Sequence, residues 1–430
     1  MFKFIGSVAA AAVIGLGASN LFINDVAACG GYGDWWNVKV EESKKAKDAD
    51  VDEVADEGET KTSEEEKKPV VAEVKPKIQI AILLDTSGSM DGLIDQARTQ
   101  LWKIVNEFAT VKQAGLTPDV EVALYEYGND GLPAAEGYLR MVVPLTTDLD
   151  KLSEELFALT TNGGSEFCGH VIKSAVEGLQ WSSSSNDYKA VFIAGNEEFT
   201  QGQVAYLDSC KAAIEKGIVV NTIHCGDYET GVGQKWLHGA QLADGSYMAI
   251  NSSTPVVHIA SPHDEEIIKL GEELNETYVP YGKEGEEGAT RQAEQDSNAN
   301  GGGQGANVNR ALSKKNHTYR NDAWDLVDAL KEEKVKLEDL KKEDLPEELR
   351  DMTNEELKKH LDGVREKRAE LTEKLNELEK KRNAHVAEKR REASEGGEET
   401  LDEAMIKAIR EQAEKKKFKR EEVKEEKKED

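Results

Sequence analysis

The stretch I-L-L-D-T-S-G-S-M, residues 82–90, ends an apolar run on an acid, Asp85, and then offers two alternating hydroxyls, Ser87 and Ser89. The run begins earlier, as I-Q-I-A-I-L-L-D over residues 78–85. It has strand length and almost no polar alternation, the pattern of a strand covered on both faces. Small oxygen donors at the mouth of a sheet suit a hard cation such as Mg²⁺, which takes six oxygen ligands at about 2.1 Å and keeps some of its waters.

Downstream, strand-length runs alternate with segments of helical period. VEVALYEYG (120–128), LRMVVPL (139–145), AVFIAG (190–195), IVVNTIHCG (218–226) and GSYMAIN (245–251) read as strands. LIDQARTQLWKIVNEFA (93–109), HVIKSAVEGL (170–179), VAYLDSCKAAIEKG (204–217) and DEEIIKLGEELNETY (264–278) read as helices between and after them. Continuous apolar strands interleaved with helices predict an α/β, doubly wound, mostly parallel sheet flanked by helices. Ligands of such sheets bind at the carboxyl edge of the strands, where Asp85 falls.

Around this domain, 77–283, the chain of 430 residues divides by composition. The uncharged run FIGSVAAAAVIGLGASNLFI, 4–23, follows Lys3 and reads as an export signal over 1–28. Val26-Ala27-Ala28 before Cys29 supplies a small-residue cleavage site. The same residues resemble a lipobox with Cys29 as the lipidated residue, and the run is also about long enough to span a bilayer uncleaved. A cleaved signal is the first reading, with lipoprotein and membrane anchor as alternatives. All three place the rest of the chain in the periplasm, the cell envelope or outside the cell. Residues 29–76 are dense in charge of both signs and poor in apolar bulk, which predicts an acidic disordered spacer.

After the domain, EGEEGATRQAEQDSNANGGGQGAN, 284–307, reads as a Gly-rich linker, and 308–430 as a charged helical extension with a solvated tail from Lys415. Thr353 and Glu356 form a capping box that opens a long helix. Its seam, Leu357, Leu361, Val364, Leu371, Leu375 and Leu378, has coiled-coil spacing, interrupted by Arg368 and Arg382. The seam can fold back on the preceding helix, pair with a second copy, or lie on the domain.

Net charge is −29, from 55 basic and 84 acidic residues, which excludes a nucleic-acid binder because phosphate neutralisation needs a basic surface. Three cysteines remain besides Cys29. Cys168 and Cys225, both near the carboxyl edge, are the pair favoured for a disulfide if one forms; three unpaired buried thiols, with Cys210 mid-helix, fit equally. His170 and His224 lie near the same edge, but the chain has no nucleophile elbow, H-E-x-x-H or paired-cysteine zinc spacing, so no enzyme is expected.

Asp85, Ser87 and Ser89 in DTSGSM, directly after the first strand, resemble the Asp-x-Ser-x-Ser motif of von Willebrand factor A-type domains, and the resemblance extends over 77–283. It implies a metal-ion-dependent adhesion site holding Mg²⁺, with Ca²⁺ or Mn²⁺ as alternatives, whose open position receives an Asp or Glu of a protein partner. The family's second loop places a Thr after a glycine pair; TNGGSEFCGH, 161–170, offers Ser165. The third loop places an Asp in "TDG"; FIAGNEEF, 192–199, puts Gly195 there, with Asn196 and Glu197 as substitutes one and two residues on. Loss of that charge is expected to weaken a cation by about 1 kcal/mol or more. Glu166 is a further candidate ligand, or an acid placed at a helix N-terminus for its dipole. On the structural side, Asp85 and Ser87 could instead cap the next helix. NRALSKKNHTYRNDAWDLVDAL, 309–330, resembles an extension of exported bacterial proteins with this domain. Three functions compete: a metal-dependent binding module, a metal-independent scaffold assembling through the C-terminal helices, and, against the export signal, an accessory subunit of a metal-chelatase complex.

Overall fold

The computed structural model describes residues 75–253, 258–392 and 400–420. The export signal, Cys29 and nearly all of the spacer lie outside the described residues. None of the described helices is long and apolar enough to cross a membrane.

The first half of the chain runs β1 (Lys77–Asp85), α1 (Asp91–Asn106), β2 (Val111–Gln113), β3 (Asp119–Tyr127), β4 (Leu139–Thr146), α2 (Leu149–Ala158), α3 (Cys168–Gly178), β5 (Tyr188–Gly195), α4 (Tyr206–Glu215) and β6 (Val219–Cys225). It continues with α5 (Tyr228–Gly233), α6 (Trp236–Leu242), β7 (Tyr247–Ile250), α7 (Asp264–Asn275), α8 (Gly285–Gly301), α9 (Gln304–Ser313), α10 (Leu326–Lys331), α11 (Asn354–Glu392), α12 (Leu401–Lys415) and β8 (Phe418–Arg420). The main sheet has the order β4-β3-β1-β5-β6-β7. All neighbours are parallel except β4, an antiparallel edge strand on β3. An edge is where a strand tolerates a proline, here Pro144.

The two-residue period of β1 divides its side chains between two cores. Ile78, Ile80, Ile82 and Leu84 pack with α1 and α2 on one face, while Ala81 and Leu83 pack with α3 and α4 on the other. The chain leaves β1 toward β3 and later returns on its other side as β5, so the carboxyl end of β1 is a topological switch point. Register places Asp85 beside Tyr127, and Leu84 beside Ala194, the residue before Gly195.

The segment expected to be a linker, 284–307, is instead α8 and the start of α9. Its glycines and glutamines have packing roles that composition conceals. Gly288 lies against the Trp324 ring where a Cβ would overlap it. Gln295 is buried and accepts from Ser153 Oγ at 2.8 Å, and Gln292 donates to the Tyr319 hydroxyl at 3.0 Å. The guanidinium of Arg310 on α9 is buried over the Trp102 ring at 4.3 Å and pairs with Asp150 and Asp296, joining α9 to α1, α2 and α8.

The long helix α11 opens with the expected capping box, Glu356 N donating to Thr353 Oγ1 at 3.3 Å and Thr353 N to Glu356 Oε2 at 2.9 Å. Its seam is filled from within the chain. Leu357 and Leu361 pack with Leu326, Val327, Leu345 and Leu349. Leu371, Leu375 and Leu378 pack with Ile267, Leu274 and Val308. The two arginines that interrupt the heptads are the polar locks of this packing. Arg368 pairs with Asp325 at 2.9 Å and Asp328 at 2.8 Å, donates to Thr277 and stacks on Tyr278. Arg382 pairs with Asp264 at 2.9 Å.

The tail corrects a further expectation. Leu401, Ala404, Met405, Ala408 and Ile409 of α12 join the same core as α1 and β1. Gln412 reaches into the sheet, accepting from the Tyr188 hydroxyl at 2.8 Å and donating to Asn221 Oδ1 at 2.5 Å. Phe418, within the Lys-rich run, is buried and belongs to β8, which pairs antiparallel with β2.

Candidate metal centre

Asp85 is the last residue of β1 and fully buried. One carboxylate oxygen, Oδ1, accepts from Ser87 N at 2.7 Å, which folds residues 85–87 into a tight turn; Oδ2 is buried with no partner. The turn does not cap α1, whose N-cap is Met90 with no side-chain bond. Thr86 points elsewhere, donating to Glu126 at 3.1 Å on β3. Ser87 is buried and Ser89 exposed, and their Oγ atoms stand 3.3 Å apart. Adjacent ligands of an octahedral ion with bonds near 2.1 Å are separated by about 3 Å, so this pair has the spacing of two ligands on one edge.

The second loop is laid over the first by its backbone. Asn162 N donates to Thr86 O at 3.0 Å, and Asp130 N to Gly163 O at 2.9 Å. Glu166, just before α3, is 4% exposed, and the charge of Asp85 acts on its carboxyl. Ser165 beside it is half-buried and its hydroxyl makes no hydrogen bond among the described residues. In the third loop, Asn196 Nδ2 donates to Ser89 Oγ at 3.1 Å while Oδ1 is buried without a partner. Turning the amide over exchanges N and O and offers that oxygen beside Ser89. Glu197 is exposed, accepts from Gln201 at 3.4 Å, and has its backbone carbonyl held by Trp236 Nε1 at 2.8 Å. The structure therefore gathers Asp85, Ser87, Ser89, Glu166 and Asn196, and leaves Ser165 and Glu197 at the margin.

Gly195 has a steric cause that sequence reasoning missed. A Cβ there would overlap the hydroxyl oxygen of Tyr127 and stand 3.2 Å from Asp85 Oδ2. Tyr127, at the end of β3, is fully buried and donates to Ala194 O at 3.0 Å. The signal was the tyrosine closing ALYEY at the register position of Asp85, where an aliphatic residue would carry no polar atom to the edge.

Two acids share this buried space and no lysine or arginine pairs with either among the described residues. Burial, and Glu197 nearby, push Asp85 up to about 6 despite its hydrogen bonds. Burial, then repulsion by Asp85, pushes Glu166 up to about 9. Burial and like charge without a countercharge favour the protonated form of both. No three His, Cys, Asp or Glu converge as a cage among the described residues. The donor set is therefore two carboxylates with hydroxyl and amide oxygens, which fits Mg²⁺ and related hard ions.

Of the two cysteine readings, a Cys168–Cys225 bridge or three unpaired thiols, the structure has the second: Cys168, Cys210 and Cys225 are buried free thiols. Cys168 packs in the α3-side core and Cys225 in the α1-side core, with the sheet between them. His224 is buried against Trp236, and neither it nor His170 hydrogen-bonds Ser87 or Ser89 among the described residues.

A doubly wound sheet with this motif at its switch point defines a von Willebrand factor A-type fold. Residues 79–242 match the profile of the von Willebrand factor type A domain, so the chain carries that domain within a longer polypeptide. Similar solved structures include the conserved hypothetical protein BatB from Bacteroides thetaiotaomicron, at 18% identity over 41% of this chain and 91% of that one, TM-score 0.32. The proximal thread matrix protein 1 of the mussel byssus, with a zinc-occupied adhesion-site motif, aligns at 12% identity over 41% of this chain and 42% of its own, TM-score 0.32. The pilus adhesin SpaC from Lactobacillus rhamnosus GG aligns at 17% over 42% of this chain and 28% of its own, TM-score 0.31. No curated protein sequence matches this chain.

Proposed function

We propose that this protein is an exported, cation-dependent binding module that captures a carboxylate of a protein partner. One observation carries the reading: Asp85 Oδ2 is buried without a partner beside two serine hydroxyls 3.3 Å apart, at the edge where such sheets take ligands. Asp85, Ser87 and Ser89 would hold a divalent ion, which supplies an electrophilic open position for an outside acid when bound. The chain's own part is to orient the hydroxyls and hold Asp85 in its turn. The domain match supports an interaction role rather than catalysis. The seam leucines, buried inside this chain, are not free to assemble a coiled-coil scaffold.

The test uses the full chain loaded with Mn²⁺ and follows water-proton relaxation. Enhancement that Asp85→Asn abolishes, and that a Glu-bearing peptide lowers while its Gln analogue does not, supports the reading. Absence of enhancement, or equal response to both peptides, refutes it.

A further inference from the structure

We infer that Glu166 is a direct ligand of the cation, taking over from the acid that the third loop lacks, while the Tyr127 hydroxyl fills the space that acid would need. The inference rests on the reading that the site holds a divalent ion, and it names which loops do so.

Three geometric facts carry it. Position 195 has no room for a side chain, because Tyr127 is held there by its bond to Ala194 O at 3.0 Å and is wholly buried. An acid at position 195 could enter only by displacing that hydroxyl. Glu166 meanwhile reaches the centre from the second loop. Its Cγ and Asp85 Oδ1 lie 2.9 and 2.7 Å from one point, the place a Cβ on Gly128 would occupy. Its side chain is buried there, 4% exposed. Gly128 has φ +81°, so both its conformation and the two acids above it require glycine. Finally, the loop cannot swing Glu166 outward cheaply. Gly164 is pressed on the Gly128 carbonyl, and Asn162 and Gly163 are hydrogen-bonded to the neighbouring loops.

Glu166 therefore lies where it can share an ion with Asp85 and Ser87. The third-loop acid Glu197 is exposed, and its carbonyl is tied to Trp236 on the outer side. The first two loops carry both buried acids of the site, and the third contributes the neutral amide of Asn196 and, at the exposed rim, the charge of Glu197. Partner contacts made by the third loop are then separable from metal binding, unlike in a site where that loop supplies an acid to the ion.

Calorimetric titration of the full chain with Mg²⁺ and Mn²⁺ tests this. Glu166→Gln is expected to weaken binding by about 100-fold, and Glu197→Gln by less than about threefold. The Glu166→Gln variant should unfold without metal at the same temperature as wild type or higher, so its loss of binding is not loss of fold. In the Glu166→Gln background, Tyr127→Phe with Gly195→Asp should recover binding that Gly195→Asp alone does not. Binding by Glu166→Gln within about threefold of wild type overturns the inference while leaving the metal reading intact. Equal rescue by Gly195→Asp alone overturns the role given to Tyr127. No binding of either ion by the wild-type chain overturns the inference and the metal reading together.

Discussion

At the scale of single residues, the site is defined by two buried acids that no lysine or arginine among the described residues pairs with. Asp85 and Glu166 protonate more readily in the folded protein than in the unfolded chain, because both are buried, and because Glu197 repels the charge of Asp85 and Asp85 that of Glu166. The folded state then binds more protons than the unfolded state from about pH 4 upward, so without metal the protein loses stability as pH rises through the folded values. Thermal unfolding in chelator should show a midpoint falling between pH 5 and pH 9. Mg²⁺ should restore it, more strongly at pH 9 because binding must displace fewer protons there. Asp85→Asn should flatten the metal-free pH profile and remove the Mg²⁺ increment; a Mg²⁺ increment unchanged by the substitution would refute the assignment. The serines and Asp85 were legible from the motif alone, because the spacing is local. The exclusion of an acid from position 195 was not, because it depends on Tyr127, which is 68 positions away and meets it only through strand register.

Among the elements, α11 shows how a pattern can be read correctly and its partner missed. The leucine spacing foretold a buried stripe, and the stripe is buried, but against α7, α9 and α10 rather than another coil. The arginines on the seam were the clue. In a coil they would be unpaired, whereas here Arg368 meets Asp325 and Asp328. Removing one member of a buried ion cluster strands the others, so Arg368→Met should destabilise by about 3–5 kcal/mol. Denaturant unfolding measures it, and a change below 1 kcal/mol would show that the cluster is unimportant. Leu375→Ala, at a fully buried position, should cost about 2–5 kcal/mol. Sedimentation should show the same mass for Leu375→Ala and wild type; a drop in mass would mean the seam joins copies. The glycine-rich α8 was read as a linker because composition cannot distinguish a glycine that frees the chain from one that admits a tryptophan, as Gly288 does.

For the molecule as a whole, the parallel sheet and its switch point followed from the order of apolar runs, but the boundary of the domain did not. Nothing in residues 77–283 announces that one face waits for α12, because LDEAMIKAIREQAEK is an ordinary amphipathic helix until its partner is known. A chain ending at residue 392 should lose Leu401, Met405, Ile409 and Phe418 from the core, bind a hydrophobic dye and unfold without a sharp transition. A sharp transition in that variant would show α12 to be an accessory. The placement of α12 also bears on biogenesis. Synthesis runs from the amino terminus, and the strip beneath α12 stays uncovered until residues 401–415 have been made. This part of the apolar core thus remains open to chaperones until that helix docks, whereas the α3-side core contains no residue of α12 and can pack before it.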